Sequence, residues 1–303
     1  MVAAYIDVNR RHDFVLLFDV ADGNPNGDPD AGNMPRVDPE TMQGLVTDVA
    51  IKRKVRDWVD VARGDDGRFK IYVQSGTALN AQHERAYLEL GLSSTGSKQS
   101  REEVNKARDW MCANFYDIRM FGAVMTTSVN CGQVRGPMQI TFARSLDQIV
   151  PLDLSITRVA VTRKEDAVVS VAEDGSGTTS GKQTEMGRKA IVPYGLYRAH
   201  GFYNPHFAAQ TGVQEVDLEL FWDALQRMWD LDRSASRGMM ACRGLYVFSH
   251  ESSLGNAPAH QLFERIRVSR RPAVVAPRSF HDYTVEVDAS GLPEGIALTT
   301  LAG

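Results

Sequence analysis

A glycine- and asparagine-rich loop followed by a group of cations is the part of the sequence best suited to bind an anionic polymer. The loop occupies residues 22–29 with the sequence DGNPNGDP, and Lys52, Arg53 and Arg56 follow it. Glycine and asparagine adopt backbone angles that other residues avoid, and proline stiffens a turn. A helix N-terminus placed after such a loop directs free N–H groups toward a phosphate. The pattern therefore predicts a site for the phosphates of an anionic chain.

The three cations fall in one arc of a helical projection. That arc lies opposite the apolar residues of the same segment, which are Ile51, Val55, Trp58 and Val59. Such an arrangement is typical of a helix that packs its apolar side on a core and presents its cations outward. It also fits a solvated helix face in which Asp48 and Asp57 form intrahelical ion pairs. Both interpretations stay open on the evidence of the helix alone.

Acidic residues in and after the loop raise two metal-binding alternatives. Residues 22–27 match the first half of a calcium loop, but Asn33 takes the place of the closing bidentate glutamate. Asp28, Asp30 and Asp38 could instead hold Mg²⁺ for phosphodiester cleavage. The simpler interpretation is that the Asp-Pro pairs form turns and helix starts. The seven histidines show no metal-ligand spacing, and no P-loop, nucleophile elbow or dinucleotide fingerprint occurs.

Composition narrows the class of protein. The chain has 303 residues, of which 43% are hydrophobic and 24% charged, as expected of a globular protein with a full core. No segment is apolar enough to span a membrane, and Cys112, Cys131 and Cys242 encode neither a disulfide framework nor a zinc knuckle. We expect a cytoplasmic protein in a reducing compartment. Because the net charge is −4, any nucleic-acid site must be local.

The elements that position the loop are a strand before it and a helix after it. Residues 14–20 are nearly all apolar, which predicts a strand buried on both faces. We expect the helix to begin at Asp38-Pro39-Glu40, to bury Met42, Leu45, Val46 and Val49, and to end at Gly64. A short strand is expected at residues 69–73. Two helices are expected next, at 78–90 and after the capping box of Ser100 and Glu103.

The second half of the sequence completes the pattern. Strands are predicted at 138–144, at 190–197 near a sheet edge because of Pro193, and at 245–248, 265–268 and 283–287, with a helix at 216–229. Without insertions the order is strand, helix, strand, strand, helix, strand. This order predicts an α+β fold, ferredoxin-like or RRM-like, with an antiparallel sheet covered by helices on one face. The other face would be free to bind.

An unusual insertion precedes the strand at 190–197. Its two β-branched arms, 156–162 and 167–171, are followed by a tip at 173–181 rich in glycine, serine and threonine. A tip with so little to bury predicts a projecting, mobile arm. Met186 lies near its root as an apolar wedge, among six cations of residues 155–190, which are Arg158, Arg163, Lys164, Lys182, Arg188 and Lys189. The alternative is a variable surface loop.

Six segments, taken in order, form a pattern that extends over most of the chain: residues 14–20, 23–28, 47–56, 117–123, 136–140 and 187–197. Together they resemble the Cas7 backbone subunit of CRISPR Cascade complexes, with the best match to the type I-C subgroup. The resemblance runs from about residue 12 to about residue 250. It implies one RRM-like palm over 1–303, with helical finger insertions at about 65–136 and a protruding β-hairpin thumb at about 155–190.

The resemblance also implies a role. Copies of such a subunit stack head to tail along a CRISPR RNA and present its bases to target DNA, without catalysis and without a cofactor. The partners would be the guide, copies of the chain itself, and the large, small and guide 5′-end cap subunits. The implied RNA-binding residues are Asn24, Asn26, Lys52, Arg53, Arg56, Arg119, Arg163, Lys164, Met186, Arg188 and Lys189. Type III relatives cut RNA with an early-loop acid, so a metal-dependent endoribonuclease using Asp28 or Asp30 is the alternative.

Overall fold

The computed structural model describes residues 2–95, 99–160, 162 and 185–303. The strands are β1 His12–Gly23, β2 Gly27–Asp28, β3 Met34–Pro35, β4 Gln43–Val46, β5 Gly122–Thr126, β6 Asn130–Arg135, β7 Met138–Ile140, β8 Ala143–Gln148, β9 Leu152–Arg158, β10 Glu185–Tyr203, β11 Met239–His250, β12 Ile266–Arg270, β13 Tyr283–Val287 and β14 Ile296–Ala302. The α-helices are α1 Asp48–Arg63, α2 Leu79–Glu89, α3 Arg101–Asn114, α4 Tyr116–Phe121, α5 Pro205–Thr211, α6 Glu215–Leu231 and α7 Ala259–Phe263.

The large sheet has the order β14-β11-β1-β10-β8-β4, and its neighbours pair antiparallel. Its central part follows β1, α1, β8, β10, α6 and β11 along the chain, with the spatial order β11-β1-β10-β8. This is the ferredoxin-like arrangement. The predicted α+β fold with an antiparallel sheet is therefore confirmed.

Strand β1 is buried on both faces, as its apolar run predicts. Phe14, Leu16 and Phe18 belong to the main core with residues of α1 and α6, and the Phe18 ring stacks on Trp229 at a centroid distance of 4.6 Å. Val15 and Leu17 point to the other face. There they pack in a cluster with α7 and β12. The expectation that this face is free to bind is wrong, because the C-terminal segment covers it.

Helix α1 begins nine residues later along the chain than Pro39, at Asp48. Thr47 is its N-cap, and its hydroxyl accepts the N–H of Ala50 at 3.2 Å. The Asp38 carboxylate instead accepts the N–H groups of Glu40 and Thr41, which makes a turn before β4. The apolar positions between 42 and 46 therefore serve a strand paired with β8. The predicted end at Gly64 is confirmed.

Residues 69–73 do not form the predicted strand. A 3₁₀ turn covers Gly67–Phe69, and the N–H groups of Tyr72 and Val73 are bound by the Asp117 carboxylate at 2.8 and 3.0 Å. These donors are satisfied by a side chain, so they need no neighbouring strand. The next two helices, α2 and α3, lie where the sequence predicts them, and the capping box of Ser100 and Glu103 is formed.

The predicted strand at 138–144 is divided into β7 and β8. The Thr141 hydroxyl accepts the N–H of His200 at 3.1 Å, so a side chain replaces a backbone acceptor at the break. The segment at 190–197 lies inside β10, which is central in the sheet and not at an edge. Pro193 is tolerated because Asp22, opposite it, has a φ of 51° and interrupts the ladder. Strand β14, which the sequence analysis missed, extends the sheet beside β11.

Strand β9 and the first seven residues of β10 form a hairpin in which Arg158 lies opposite Glu185 and Leu152 opposite Ile191. The predicted first arm, 156–162, overlaps β9 only at residues 156–158, the end of that strand. The predicted second arm, 167–171, and the tip at 173–181 lie outside the described residues. Helix α6 and strands β11, β12 and β13 match their predicted positions.

Candidate nucleic-acid interface

The loop at 22–29 is held rigidly by its own asparagines. Asn24 is buried, and its amide donates to the carbonyl of Asn33 at 2.7 Å while its backbone N–H donates to the carbonyl of Ser236 at 2.7 Å. The Asn26 side-chain oxygen accepts the N–H of Thr47 at 2.9 Å. Both predicted contact residues therefore shape the loop, and Asn26 joins it to the N-cap of α1.

The three cations of α1 share the predicted arc, and each holds a carboxylate of this chain. Lys52 Nζ lies 2.8 Å from Asp48, and the Arg53 guanidinium lies 2.8 Å from Asp57. Arg53 also donates to a backbone carbonyl at 2.6 Å and keeps 36% of its side chain exposed. These are the intrahelical pairs that the alternative interpretation of this helix anticipates.

Arg56 differs from its two neighbours because its partner is buried. Its guanidinium binds Asp117 at 2.8 Å, and 1% of the Asp117 side chain is exposed. The guanidinium also lies 5.4 Å from the centre of the Phe121 ring. Arg56 thus joins α1 to α4. Because Asp117 and Phe121 occupy one side of its guanidinium, only the opposite side can contact a ligand.

Arg119 lies in the core. Its side chain has no exposed area, and it donates to both carboxylate oxygens of Asp217, at 2.7 and 3.2 Å, and to the carbonyl of Cys112 at 2.7 Å. All of its charge is used to join α4 to α6. We therefore leave Arg119 out of the proposed interface.

The hairpin of β9 and β10 places its predicted residues on the surface. Met186 is 77% exposed, and the exposed Arg188 guanidinium lies 2.6 Å from Asp153 on the opposite strand. Lys189 is half-buried. Met186 and Arg188 share one face of the hairpin, since side chains alternate along a strand. Arg163 and Lys164 lie outside the described residues.

The family model for CRISPR-associated protein Cas7 matches residues 10–288. The chain belongs to the Cas7 family. A curated relative, CRISPR-associated protein Cas7 of Haloferax volcanii, is 26% identical over 237 residues, which cover 72% of this chain and 64% of that protein. The match thus spans less than two thirds of the relative's length.

Solved structures with low similarity to this Cas7-family chain include two described as a CRISPR RNA-guided surveillance complex. The first, in a pre-nicking state, has a TM-score of 0.49 at 13% identity and covers 78% of each chain. The second has a TM-score of 0.42 at 15% identity, and covers 78% of this chain and 68% of the other.

The acidic residues proposed for the metal-binding alternatives are occupied separately in this Cas7-family chain. Asp28 lies 3.4 Å from Arg36 and accepts the N–H of Asp30, whereas Asp38 lies 2.8 Å from Arg144. Within residues 2–95, 99–160, 162 and 185–303, no three His, Cys, Asp or Glu side chains are grouped to hold a metal ion. No helix of that described part is long and apolar enough to cross a membrane.

Sequence analysis missed two cations beside the loop. Lys54 is buried in the middle of α1, where it pairs with Asp232 at the end of α6, and Arg237 donates to the carbonyl of Asn24 at 3.2 Å. Burial and the nearby Arg237 charge lower the pKa of Lys54 to about 7. The position of Lys54 next to Val55, on the apolar side of α1, was the available signal. No pattern in the sequence indicates that Arg237 contacts the loop, because Arg237 is remote in sequence from residues 22–29.

Proposed function

We propose that this chain is the non-catalytic backbone subunit of a type I CRISPR complex, of the I-C subgroup, and that it binds CRISPR RNA along its phosphate backbone. Membership of the Cas7 family supports the role, and the ordered segments that resemble type I-C subunits support the subgroup. Repeated copies would stack head to tail along the guide, because a heterologous contact that does not close generates a filament. The bases of the guide would then pair with target DNA.

The observation that carries this proposal is the chemistry of the β9–β10 hairpin. Every residue of β9 is exposed, and Met186 projects beside Arg188 on one face. An apolar side chain next to a cation is suited to separate two stacked bases while the cation binds the adjoining phosphate. Arg188 would exchange Asp153 for a phosphate, and because both groups are exposed the exchange costs little.

The loop and α1 would supply the second contact with the guide. Arg53 and Lys52 would bind phosphates, and the bonds of Asn24 and Asn26 would hold the loop in place for them. We further propose that residues of about 65–136 form an inserted helical lobe. Its own apolar cluster includes Tyr72, Met111 and Met125 and is separate from the main core. We also propose that the chain acts in the cytoplasm, and that its protein partners are the large, small and guide 5′-end cap subunits of the complex.

The test is the RNA that accompanies the purified chain. We expect co-purifying RNA of uniform length, seen as a raised ratio of absorbance at 260 nm to that at 280 nm. The variant Arg188→Gln/Lys189→Gln should lower that ratio, while the matched variant Arg227→Gln, an exposed arginine on α6, should leave it unchanged. A ratio typical of pure protein for the unaltered chain, co-expressed with a CRISPR array, would overturn the proposal.

The endoribonuclease alternative rests on Asp30, which is exposed in the loop beside Asp28. If the chain cut RNA, Mg²⁺-dependent fragments would disappear in Asp28→Ala or Asp30→Ala. We expect no such fragments, and we expect both variants to retain the RNA that the unaltered chain retains.

A further inference from the structure

The C-terminal hairpin of β12 and β13 carries an unusual concentration of positive charge. Residues 265–281 contain five arginines and one histidine and no acidic residue, in a chain whose net charge is −4. The arginines are Arg265, Arg267, Arg270, Arg271 and Arg278. Nothing in the proposed guide contacts of α1 and the β9–β10 hairpin uses them.

Two of the five arginines are committed to the fold. Arg265 donates to the carbonyls of Ser290 and Gly291 at 2.7 and 2.9 Å. Arg270 lies 3.3 Å from the Asp147 carboxylate and donates to the carbonyl of Val275 at 3.2 Å, which shapes the loop between the strands.

Arg271 and Arg278 carry charge that no carboxylate in the described part of the chain neutralises, although the Arg278 guanidinium donates to the carbonyl of Pro277 at 2.9 Å. Both are exposed, and among the described residues no carboxylate lies within 4 Å of either guanidinium. Asp282 is the acid closest in sequence to Arg278. Its carboxylate accepts the backbone N–H groups of Arg278 and Ser279 at 2.8 and 2.9 Å, which fixes the loop that carries the two arginines.

A pocket of about 420 Å³ opens between the loop at 275–278 and the middle of β10, and it is lined by Arg278 and Arg270 but not by Arg271. Its walls include Pro193, Tyr194, Pro277 and Tyr283. The two tyrosine rings lie 6.4 Å apart, and each hydroxyl is held by a carboxylate, Tyr194 by Asp19 and Tyr283 by Asp147. Two flat rings that are fixed in place therefore form part of the wall, beside the polar side chains of Gln148, Arg270 and Arg278.

We infer that this pocket, together with Arg278 in its wall and the exposed Arg271 outside it, binds one unpaired nucleotide of a nucleic-acid strand. The base would stack against the tyrosyl and prolyl walls, as single-stranded nucleic acid stacks on aromatic side chains. The phosphates on either side would bind Arg271 and Arg278. A paired base cannot enter, because its edge and faces are already covered in a duplex.

The strand could be the guide or a second strand, since the pocket borders Val150 and Pro193 near the start of the β9–β10 hairpin. The first test uses the full chain and a labelled oligothymidine of about 12 nucleotides, a length in the range that single-strand binders cover. We expect the variant Ala276→Trp, which fills the pocket rim, to weaken binding about tenfold, as removal of one stacked base does.

The matched control is Ala273→Trp in the same exposed loop, because Ala273 does not line the pocket. The variant Arg271→Gln/Arg278→Gln should reduce the salt dependence of the affinity, by roughly 0.7 in log–log slope for each phosphate that is no longer bound. Arg101→Gln, an exposed arginine of the helical lobe, should leave that slope unchanged.

A second measurement identifies the source of the nucleotide. If the guide supplies it, Ala276→Trp also lowers the RNA retained on purification. If another strand supplies it, retained RNA is unchanged and only capture of the oligothymidine falls. Equal affinity of Ala276→Trp and Ala273→Trp for oligothymidine, with equal retained RNA, would overturn the inference, as would tighter binding of a poly-glutamate peptide than of oligothymidine.

Discussion

At the scale of single residues, the cations near the loop hold the chain together as well as offering charge. Arg56 binds the buried Asp117, whereas Arg53 binds the exposed Asp57. Removing one partner of a buried pair leaves an unpaired buried charge, which is costly, whereas an exposed pair contributes little to stability. Substitution of Arg56 should therefore mainly destabilise the fold, whereas substitution of Arg53 should mainly weaken ligand binding.

We expect Arg56→Gln to lower the free energy of unfolding by about 3 kcal/mol, since Asp117 would keep its buried charge without its partner. Arg53→Gln should leave the unfolding free energy within about 0.5 kcal/mol of the original and should weaken RNA binding with a smaller salt slope. Urea unfolding and RNA titrations at several salt concentrations measure both effects. Equal destabilisation by the two changes would contradict the division of roles.

The buried His12 should make the stability of the fold depend on pH. His12 is fully buried between the carbonyl of Asp7 at 2.9 Å and the hydroxyl of Ser249 at 3.0 Å, and burial lowers its pKa from 6.5 to about 4. The folded chain therefore binds fewer protons at this site than the unfolded chain between pH 6.5 and 4. The free energy of unfolding should fall across that interval as pH decreases, by about 3 kcal/mol from His12 alone.

Urea unfolding at a series of pH values measures this slope. His12→Asn should flatten it, while His206→Gln, a change at an exposed histidine, should leave it as it is. A slope that His12→Asn does not alter would mean that other groups cause the acid sensitivity.

At the scale of elements, the sequence predicted correctly those features that depend on neighbouring residues. The buried run of β1, the capping box of α3 and the apolar face of α6 are each written in neighbouring residues, and each is confirmed. The start of α1 was misplaced because Asp38 and Thr47 carry equally good cap signals. Pairing of β4 with β8, a contact about 100 residues away in sequence, decides between them.

The same reason explains errors at the candidate site. Nothing around Arg119 distinguishes it from a surface arginine, and only the approach of Asp217 on α6 places it in the core. Likewise the N–H groups of Tyr72 and Val73 bind a side chain from α4, which no local pattern shows. The exposed hairpin residues Met186 and Arg188 could be selected from sequence, because their surroundings are local.

A glycine in β10 tests how tightly the central strands pack. Gly201 lies opposite Phe14, and a Cβ atom there would overlap the Phe14 ring. We expect Gly201→Ala to lower the free energy of unfolding by about 1–3 kcal/mol, as overpacking of a core does. Gly187→Ala in the hairpin is the control, since its Cβ would lie 3.4 Å from Ile156, an ordinary contact. Similar midpoints of urea unfolding for the two variants would contradict this account.

At the scale of the whole molecule, the hairpin and the sheet can be tested separately. Arg158 and Glu185 lie directly opposite each other, so an Asn-Gly turn can replace residues 159–184. We expect the shortened chain to fold as a monomer, because the described residues that form the main core all lie outside 159–184. We also expect it to lose regular assembly on RNA.

Size-exclusion chromatography with guide RNA, followed by nuclease footprinting, measures assembly. The control replaces Asp65 and Asp66, in a surface turn after α1, by glycine, and should assemble normally. A shortened chain that reaches the same mass and leaves the same periodic footprint would limit the role of the hairpin to β9 and the start of β10.

Strand β10 has a mechanical consequence. Its residues 185–191 belong to the hairpin and its residues 192–203 pair with β1, in one unbroken strand of 19 residues. At about 3.3 Å per residue it is a rod of roughly 60 Å, anchored along most of its length in the centre of the sheet. A load on the hairpin is therefore carried as shear by the β1 ladder. In the proposed filament, such a strand would hold the end of the hairpin at a fixed distance from the sheet.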